Sequence, residues 1–302
     1  LSENVNEKDS MDEILNKYRE AGRILSSVVN DAVKLVKTGE KLLAVALFVE
    51  EEVKKRGAEP AFPCNLSLND EAAHRTPFAG EETVFTDEVV KLDAGAHIDG
   101  YVADMAVTID LSGRYEDLKK SAEDALNEVI KIVRAGITTK EIASVIDETI
   151  SGYGYKPVSD LTGHGLEQYN AHSDPSIPSK HIKDGVTLEY GQVIAVEPFA
   201  TDGIGKTKKS SFVEIYQLIR PRPVRLESMR QLMNEIERYK TLPFAKRWLS
   251  SPSDVLINKL VNEDIIHPFN LLKEKSGGLV SQAEHTLIVL DDGCEVTTRA
   301  IL

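Results

Sequence analysis

Asp93 and Asp104 stand out in KLDAGAHIDGYVADMAVTID (residues 91–110), two acids among residues that otherwise read as buried strand. An ionised carboxylate in such a place is costly unless something positive meets it. Asp99-Gly100 between two alternating runs signals a two-residue hairpin turn. With Ile98 paired to Tyr101, counting sets His97 opposite Val102, Gly95 opposite Asp104 and Asp93 opposite Ala106. Asp93 and Asp104 are then diagonal neighbours on one face, roughly 7–8 Å apart at Cβ. Gly95 is expected to leave the point between them unobstructed. The pair can converge on one cation. The competing reading is two acids at a solvated sheet edge, and a bulge would spoil the count.

Three further residues fit the same chemistry. His164 lies between two glycines in LTGHGLEQYNAH, where little bulk obstructs its ring; Glu197 ends the apolar run QVIAVEPF; Glu284 interrupts the strand-like LVSQAEHTLIVL, with Gln282 and Thr286 on its face. Taken singly, a lone histidine is more often a surface or satisfied core residue, whereas a buried strand glutamate is rare unless paired. Together the five give four carboxylates and one imidazole. Two divalent cations would balance the charge, and such hard donors suit Co, Mn, Fe or Zn without selecting among them. A carboxylate-bridged ion pair can lower the pKa of a bound water and clamp both sides of a displacement. There is no GxSxG, HExxH or P-loop pattern, and Cys64 has no activating base near it in sequence.

The elements that must position these residues show a repeat. Apolar spacing predicts helices over 11–37 and 42–56, then a Pro- and Asn-rich loop ending at His74, strands around 83–110, and helices over 115–134 and 138–151. Residues 35–60 align with 132–157 at a shift of 97 positions, which sets Gly39 on Gly136 and Pro60 on Pro157. The loop ending at His74 falls within one residue of the loop ending at His172. Asp93 and Glu197 occupy similar strand ends. Two helix–helix–loop–strand units predict an α+β architecture with pseudo-two-fold duplicated halves, an antiparallel sheet covered by helix pairs. The alternative is a chance likeness between helix pairs. Symmetry breaks after Glu197, where 206–272, with helical periods in RLESMRQLMNEIERYK and SDVLINKLVNEDII, reads as a small helical insert; a structureless loop of that length would be unusual.

Composition bounds the class. The chain has 302 residues, 41% hydrophobic and 28% charged, with net charge -13. That balance argues against direct nucleic-acid binding. No apolar run approaches the ~20 residues of a membrane span, and the polar N-terminus lacks a signal peptide's apolar core. The two cysteines, Cys64 and Cys294, are expected to be reduced thiols in a cytoplasmic protein.

These motifs resemble the methionine aminopeptidases, specifically type 2, within the pita-bread (creatinase/aminopeptidase) metallopeptidase superfamily. The resemblance spans residues 11–302 and rests on AFPCNLSLNDEAAH, LDAGAHIDGYVADMAVT, LTGHGLEQYNAH, VIAVEPFATDG, TLPFAKRWL and SQAEHTLIV. The long insert before the last motif is the type 2 hallmark, and the lack of a polybasic extension makes the chain look archaeal-type. It implies a catalytic domain over 1–205 and 273–302 with the insert at 206–272. It implies two divalent metal ions, Asp93 on one, His164 and Glu197 on the other, and Asp104 and Glu284 bridging. A metal-bridging hydroxide would attack the first peptide carbonyl, with Glu197 taking part in proton transfer. His172 would steady the oxyanion or the next carbonyl, His74 would contact the scissile amide nitrogen, and Phe62 and Phe199 would line the methionine slot. Read without the resemblance, both histidines are loop-end residues capping backbone.

The implied partners are peptides and nascent-protein N-termini, met by a cytoplasmic monomer. Small second residues are expected to be preferred because Ala171 lies beside His172. His97 and His285 are expected to be structural. Prolidase and aminopeptidase P share the metal set but carry a large domain ahead of it, and here the helix pair begins near residue 11. The other rival is a non-catalytic pita-bread binding protein that has lost ligands; this chain keeps all five.

Overall fold

The computed structural model describes residues 2–224 and 226–299. In the first unit α1 (Ser2–Val33) and α2 (Leu42–Lys55) precede β1 (Glu59–Leu68), β2 (Glu71–Ala73), β3 (Val89–Ile98) and β4 (Tyr101–Asp110). The helix expected over 11–37 thus starts earlier and ends at Val33, where a turn begins. The second unit carries α3 (Glu116–Ile132), α4 (Thr139–Gly152), β5 (Lys156–Pro157), β6 (Thr162–Glu167), β7 (Asn170–Pro178), β8 (Val193–Val196) and β9 (Phe199–Thr201). The segments ending at His74 and His172, expected as loops, are largely strand. Their bulges, at Phe62 in β1 and around Gly163–Gly165 in β6, break the period-two pattern that would have announced them.

The hairpin follows the counted register throughout. Asp93 pairs with Ala106, Gly95 with Asp104 and His97 with Val102. Asp99 and Gly100 both have positive φ, 51° and 88°, as a two-residue turn of the primed type requires.

The repeat is visible in backbone detail. Gly39 N donates to Phe85 O and Gly136 N to Leu188 O, each at 2.8 Å. Leu42 N donates to Thr83 O and Thr139 N to Val186 O. These donors differ by the same 97 positions as the aligned helices. One apolar core lies between α1–α2 and the β1–β3–β4 sheet, built on Leu25, Val28, Val49 and Leu92. The other lies between α3–α4 and the second unit's strands, on Leu126, Val129, Ile146 and Ile194. Truncating a fully buried leucine such as Leu25 to alanine would cost about 2–5 kcal/mol.

The segment expected as a helical insert opens and closes in strand. It runs β10 (Thr207–Leu218), α5 (Glu227–Ile236), β11 (Phe244–Ala245), α6 (Asp254–Asn262) and β12 (Ile266–Glu274). Its strands join β2 of the first unit in a sheet ordered β11-β10-β12-β2, and its helices pack on a small core of their own. The chain closes with β13 (Val280–Gln282), β14 (His285–Leu290) and β15 (Gly293–Val296). Glu284 therefore sits in a break between strands, not mid-strand. Two threonines seal the seam between the halves. Asp104 N donates to Thr286 Oγ1 at 2.7 Å, and Thr286 Oγ1 donates to Asp104 O at 2.9 Å. Thr108 exchanges the same pair of bonds with the backbone of Gln282. This seam brings Asp104 and Glu284 to one place. Among the described residues no helix is long and apolar enough to cross a membrane.

Candidate metal centre and substrate pocket

One cavity of about 260 Å³ is lined by all nine sequence-predicted site residues: Phe62, His74, Asp93, Asp104, His164, His172, Glu197, Phe199 and Glu284. Ligand atoms of Asp104, His164 and Glu284 lie within 4.8 Å of one another. Asp93 and Glu197 flank that triad. His164 Nε2 is 3.9 Å from Asp104 Oδ2 and 3.7 Å from Glu197 Oε1. None of the lining residues is a lysine or arginine.

The electrostatics are those of a site short of positive charge. Burial pushes Asp93 up to about 7, against the pull of Gln282 and Asn65. Burial and then the neighbouring acids raise Asp104, Glu197 and Glu284 well above the carboxylate range. Buried oxygens Asp93 Oδ1, Asp104 Oδ1 and Glu284 Oε1 have no hydrogen-bond partner. Burial, then His172 beside it, takes His164 down to about 3, so its imidazole is neutral. His164 Nδ1 lies 3.2 Å from Gly165 O; a donor there leaves the Nε2 lone pair facing carboxylate oxygens. Lone pairs of one imidazole and several acids turned on one point are mutually repulsive, and a cation among them removes the conflict. The backbone carbonyl behind Nδ1 is the usual support of a metal-ligating histidine. The residues present fit hard divalent ions.

Around this cage the pocket is apolar. Phe62 packs its ring where a side chain on residue 95 would be, a Cβ there lying 2.2 Å from its Cε1. Gly95 thus makes room for Phe62, not for the meeting point of the aspartates as expected. Phe199, 1% exposed, forms another wall. His74 stands at the end of β2 with φ +66°, a left-handed conformation that costs a histidine about 1–3 kcal/mol. Its Nδ1 is 3.2 Å from Asn270 O, and its ring meets Phe269 edge-on at 5.3 Å. Burial, then His172, lowers it to about 4. His172 lies at the exposed mouth, its ring 4.3 Å from that of His164.

The structure adds residues the sequence reading missed. Ile215 of β10, Phe269 of β12 and Pro243 come from the insert, whose strand alternation in SSFVEIYQL was the available signal. Asn65 also lines the pocket, and Gln282 Nε2 donates to Glu197 at 3.3 Å and Glu284 at 3.2 Å. Ala171 is not in the lining: it is 1% exposed, packed with Tyr18 and Leu166. His97 accepts from Gly100 N, and His285 meets Thr298 Oγ1 at 2.8 Å, both away from the cage. Cys64 and Cys294 are free thiols, and burial raises Cys64 well above its usual range.

Duplicated helix pairs over strands, with acids and an imidazole meeting at the seam, make the pita-bread arrangement of a metallopeptidase. The sequence model of metallopeptidase family M24 matches residues 16–231. A methionine aminopeptidase of Archaeoglobus fulgidus is 51% identical over 290 residues, covering 95% of this chain and 99% of that protein. One from Methanocaldococcus jannaschii is 46% identical over 287 residues, 94% and 98% of the two chains. The crystal structure of a methionine aminopeptidase from Thermotoga maritima shares the fold, with a TM-score of 0.72 at 22% identity over 95% of this chain and 97% of that one. The chain belongs to metallopeptidase family M24 and, within it, to the methionine aminopeptidases.

Proposed function

We propose that this chain removes the N-terminal methionine from peptides and nascent proteins, as an archaeal-type, type 2 enzyme acting as a monomer in the cytoplasm. The observation that carries this reading is a cage of partnerless carboxylate oxygens and one neutral imidazole at the floor of an apolar pocket. Two divalent ions (Co, Mn, Fe or Zn) are assigned to Asp93, Asp104, His164, Glu197 and Glu284. Bound there, they would supply Lewis acidity that activates water and polarises a carbonyl.

The protein's own groups would do the rest. Phe62 and Phe199 hold the methionine side chain and exclude water. Glu197, which reaches both the cage and the pocket, would accept a proton and pass it to the leaving amine. His74, with Nδ1 turned to Asn270 O, keeps Nε2 as an acceptor for the scissile amide N–H. His172, at the mouth, would donate to the oxyanion or the following carbonyl. The small-second-residue preference no longer rests on Ala171. It rests on His172 at the mouth, whose ring lies 4.3 Å from that of His164 and 6.5 Å from that of Phe269 and narrows the way past it; comparable rates on Met-Gly-Ser and Met-Arg peptides would argue against it. Residues 206–272 are proposed as a unit that completes this pocket's wall.

Purified chain supplied with Mn or Co is expected to release Met from Met-Gly-Ser and to leave Leu-Gly-Ser intact. Equal turnover of Xaa-Pro peptides lacking Met would move the assignment to prolidase chemistry.

A further inference from the structure

The left-handed conformation of His74 persists only if its neighbours over-determine it. On the ring side, β12 supplies Asn270 O and Phe269. On the chain side, Arg75 O accepts from Leu66 N at 2.7 Å, and Thr76 Oγ1 donates to Cys64 O at 2.7 Å. Arg247, in the 3-10 turn Lys246–Trp248 of the insert, reaches this same stretch. Its Nη1 donates to Thr76 Oγ1 at 2.7 Å and to Pro77 O at 2.9 Å. Its Nη2 pairs with Glu50 of α2, and the arginine side chain is 3% exposed. Glu50 accepts in addition from Trp248 Nε1 at 2.8 Å and from Cys64 N at 3.1 Å. One buried carboxylate therefore ties the insert to α2 and β1. The arginine it holds extends that tie to the two residues that follow His74-Arg75. The proposed chemistry uses neither Arg247 nor Glu50.

We propose that Arg247, anchored by Glu50, is a positioning residue that holds His74 in its left-handed conformation facing the substrate. The inference rests on reading His74 as a substrate contact. Without the guanidinium, Thr76 Oγ1 and Pro77 O lose their donor, and only the bonds to β1 and the Arg75 ion pairs with Glu71 and Glu81 still resist relaxation of His74 toward ordinary φ. The insert would then act on the reaction from outside the cage.

The test is a double-mutant cycle on Met-Gly-Ser hydrolysis with Mn supplied, using Arg247→Met, His74→Ala and both together. Arg247→Met is expected to lower kcat by about tenfold or more with KM changed less than about threefold. In the His74→Ala background the same substitution is expected to change kcat by less than about twofold. Equal fold losses in both backgrounds would overturn the proposal. Because Arg247→Met alone strands a buried carboxylate, the pair Glu50→Gln/Arg247→Met is measured beside it with the same expectation. Crystals of that pair variant give a readout independent of turnover. His74 relaxed to negative φ, or out of hydrogen-bond reach of Asn270 O, supports the proposal, and an unmoved His74 overturns it. A wild-type chain inert on Met-Gly-Ser would remove the activity reading, and the crystals would then decide this one.

Discussion

Glu274 at the end of β12 and Glu284 between β13 and β14 are both buried, at 0% and 2% exposure. Around Glu274 the chain has wrapped a loop of donors. Ile204 N and Gly205 N reach Oε1 at 2.7 and 3.2 Å, while Ser276 N, Ser276 Oγ and Gly278 N reach Oε2 at 2.6 to 3.0 Å. Burial alone would raise this group, but the donors overcome it and take it down to about 2. Around Glu284 one side-chain amide, from Gln282, serves both it and Glu197, and Oε1 has nothing. Burial and three acidic neighbours drive it up. A carboxylate whose task is structural receives donors from the protein. One proposed to hold a cation is left without them.

The contrast can be broken most sharply at Asp104. Asp104→Asn is expected to lower turnover by roughly 10²–10³-fold or more, while the melting temperature of the chelated protein stays the same or rises, since an acid crowded by other buried acids has gone. Near-wild-type turnover would contradict the ligand assignment. Glu274→Ala should do the reverse. It should lower stability at neutral pH, because it strands five donors and removes an ionised group that the fold favours over its protonated form by about 3 kcal/mol, the worth of a fall from 4.5 to about 2. Turnover per folded molecule should be changed far less than by Asp104→Asn. Denaturant unfolding beside kinetics on the two variants checks the pair.

The two regions also respond to pH with opposite signs. Asp93 is raised from 3.8 to about 7, so the folded chain binds more protons than the unfolded one between those values. Its contribution to the stability of metal-free protein therefore falls as pH rises from about 4 to about 7. Glu274 is lowered, so its contribution is complete above about 4.5 and is lost as pH falls toward 2. Added Mn should accordingly raise the melting temperature of chelated protein more at pH about 7 than at pH about 5. Equal shifts would count against the cage as the binding site.

A smaller effect concerns a buried group of the other sign. Burial lowers Lys91 to about 7, against the pull of Glu71 and Asp70, and its Nζ donates to Asn69 O at 2.8 Å. The unfolded chain binds the extra proton between about 7 and 10.5, so this lysine opposes folding most below about 7. Lys91→Met should raise the melting temperature by a few degrees near pH 6 and by less near pH 10. Asn69 O keeps a donor in Val280 N. A lowered melting temperature near pH 6 would show the lysine to be a net stabiliser.

Much of this arrangement could be read before any coordinates. The Asp99-Gly100 turn fixes register through two positive φ values, and a hairpin register leaves no freedom in which side chains share a face. The repeat was legible because Gly39 and Gly136 sit at matching turns with φ 87° and 88°. Burial of unpaired acids singled out the cage. Contacts set by bulges and by distant segments were harder to read. The strands before His74 and His172 lack alternation, so Phe62's place over Gly95 and Ala171's retreat into the core went unforeseen. The insert's strands were hidden by stronger helical periods beside them, and with them the wall formed by Ile215 and Phe269.

Asp93, Asp104, His164, Glu197 and Glu284 are proposed to hold cations together at the floor of the pocket. Anomalous diffraction at metal edges, on crystals of protein purified without added metal and again after soaking in Mn, tests this assignment most directly. Two peaks are expected among these five side chains, with Asp104 and Glu284 between them. Ordered side chains with no peak among them after soaking, or metal bound only elsewhere, would contradict it.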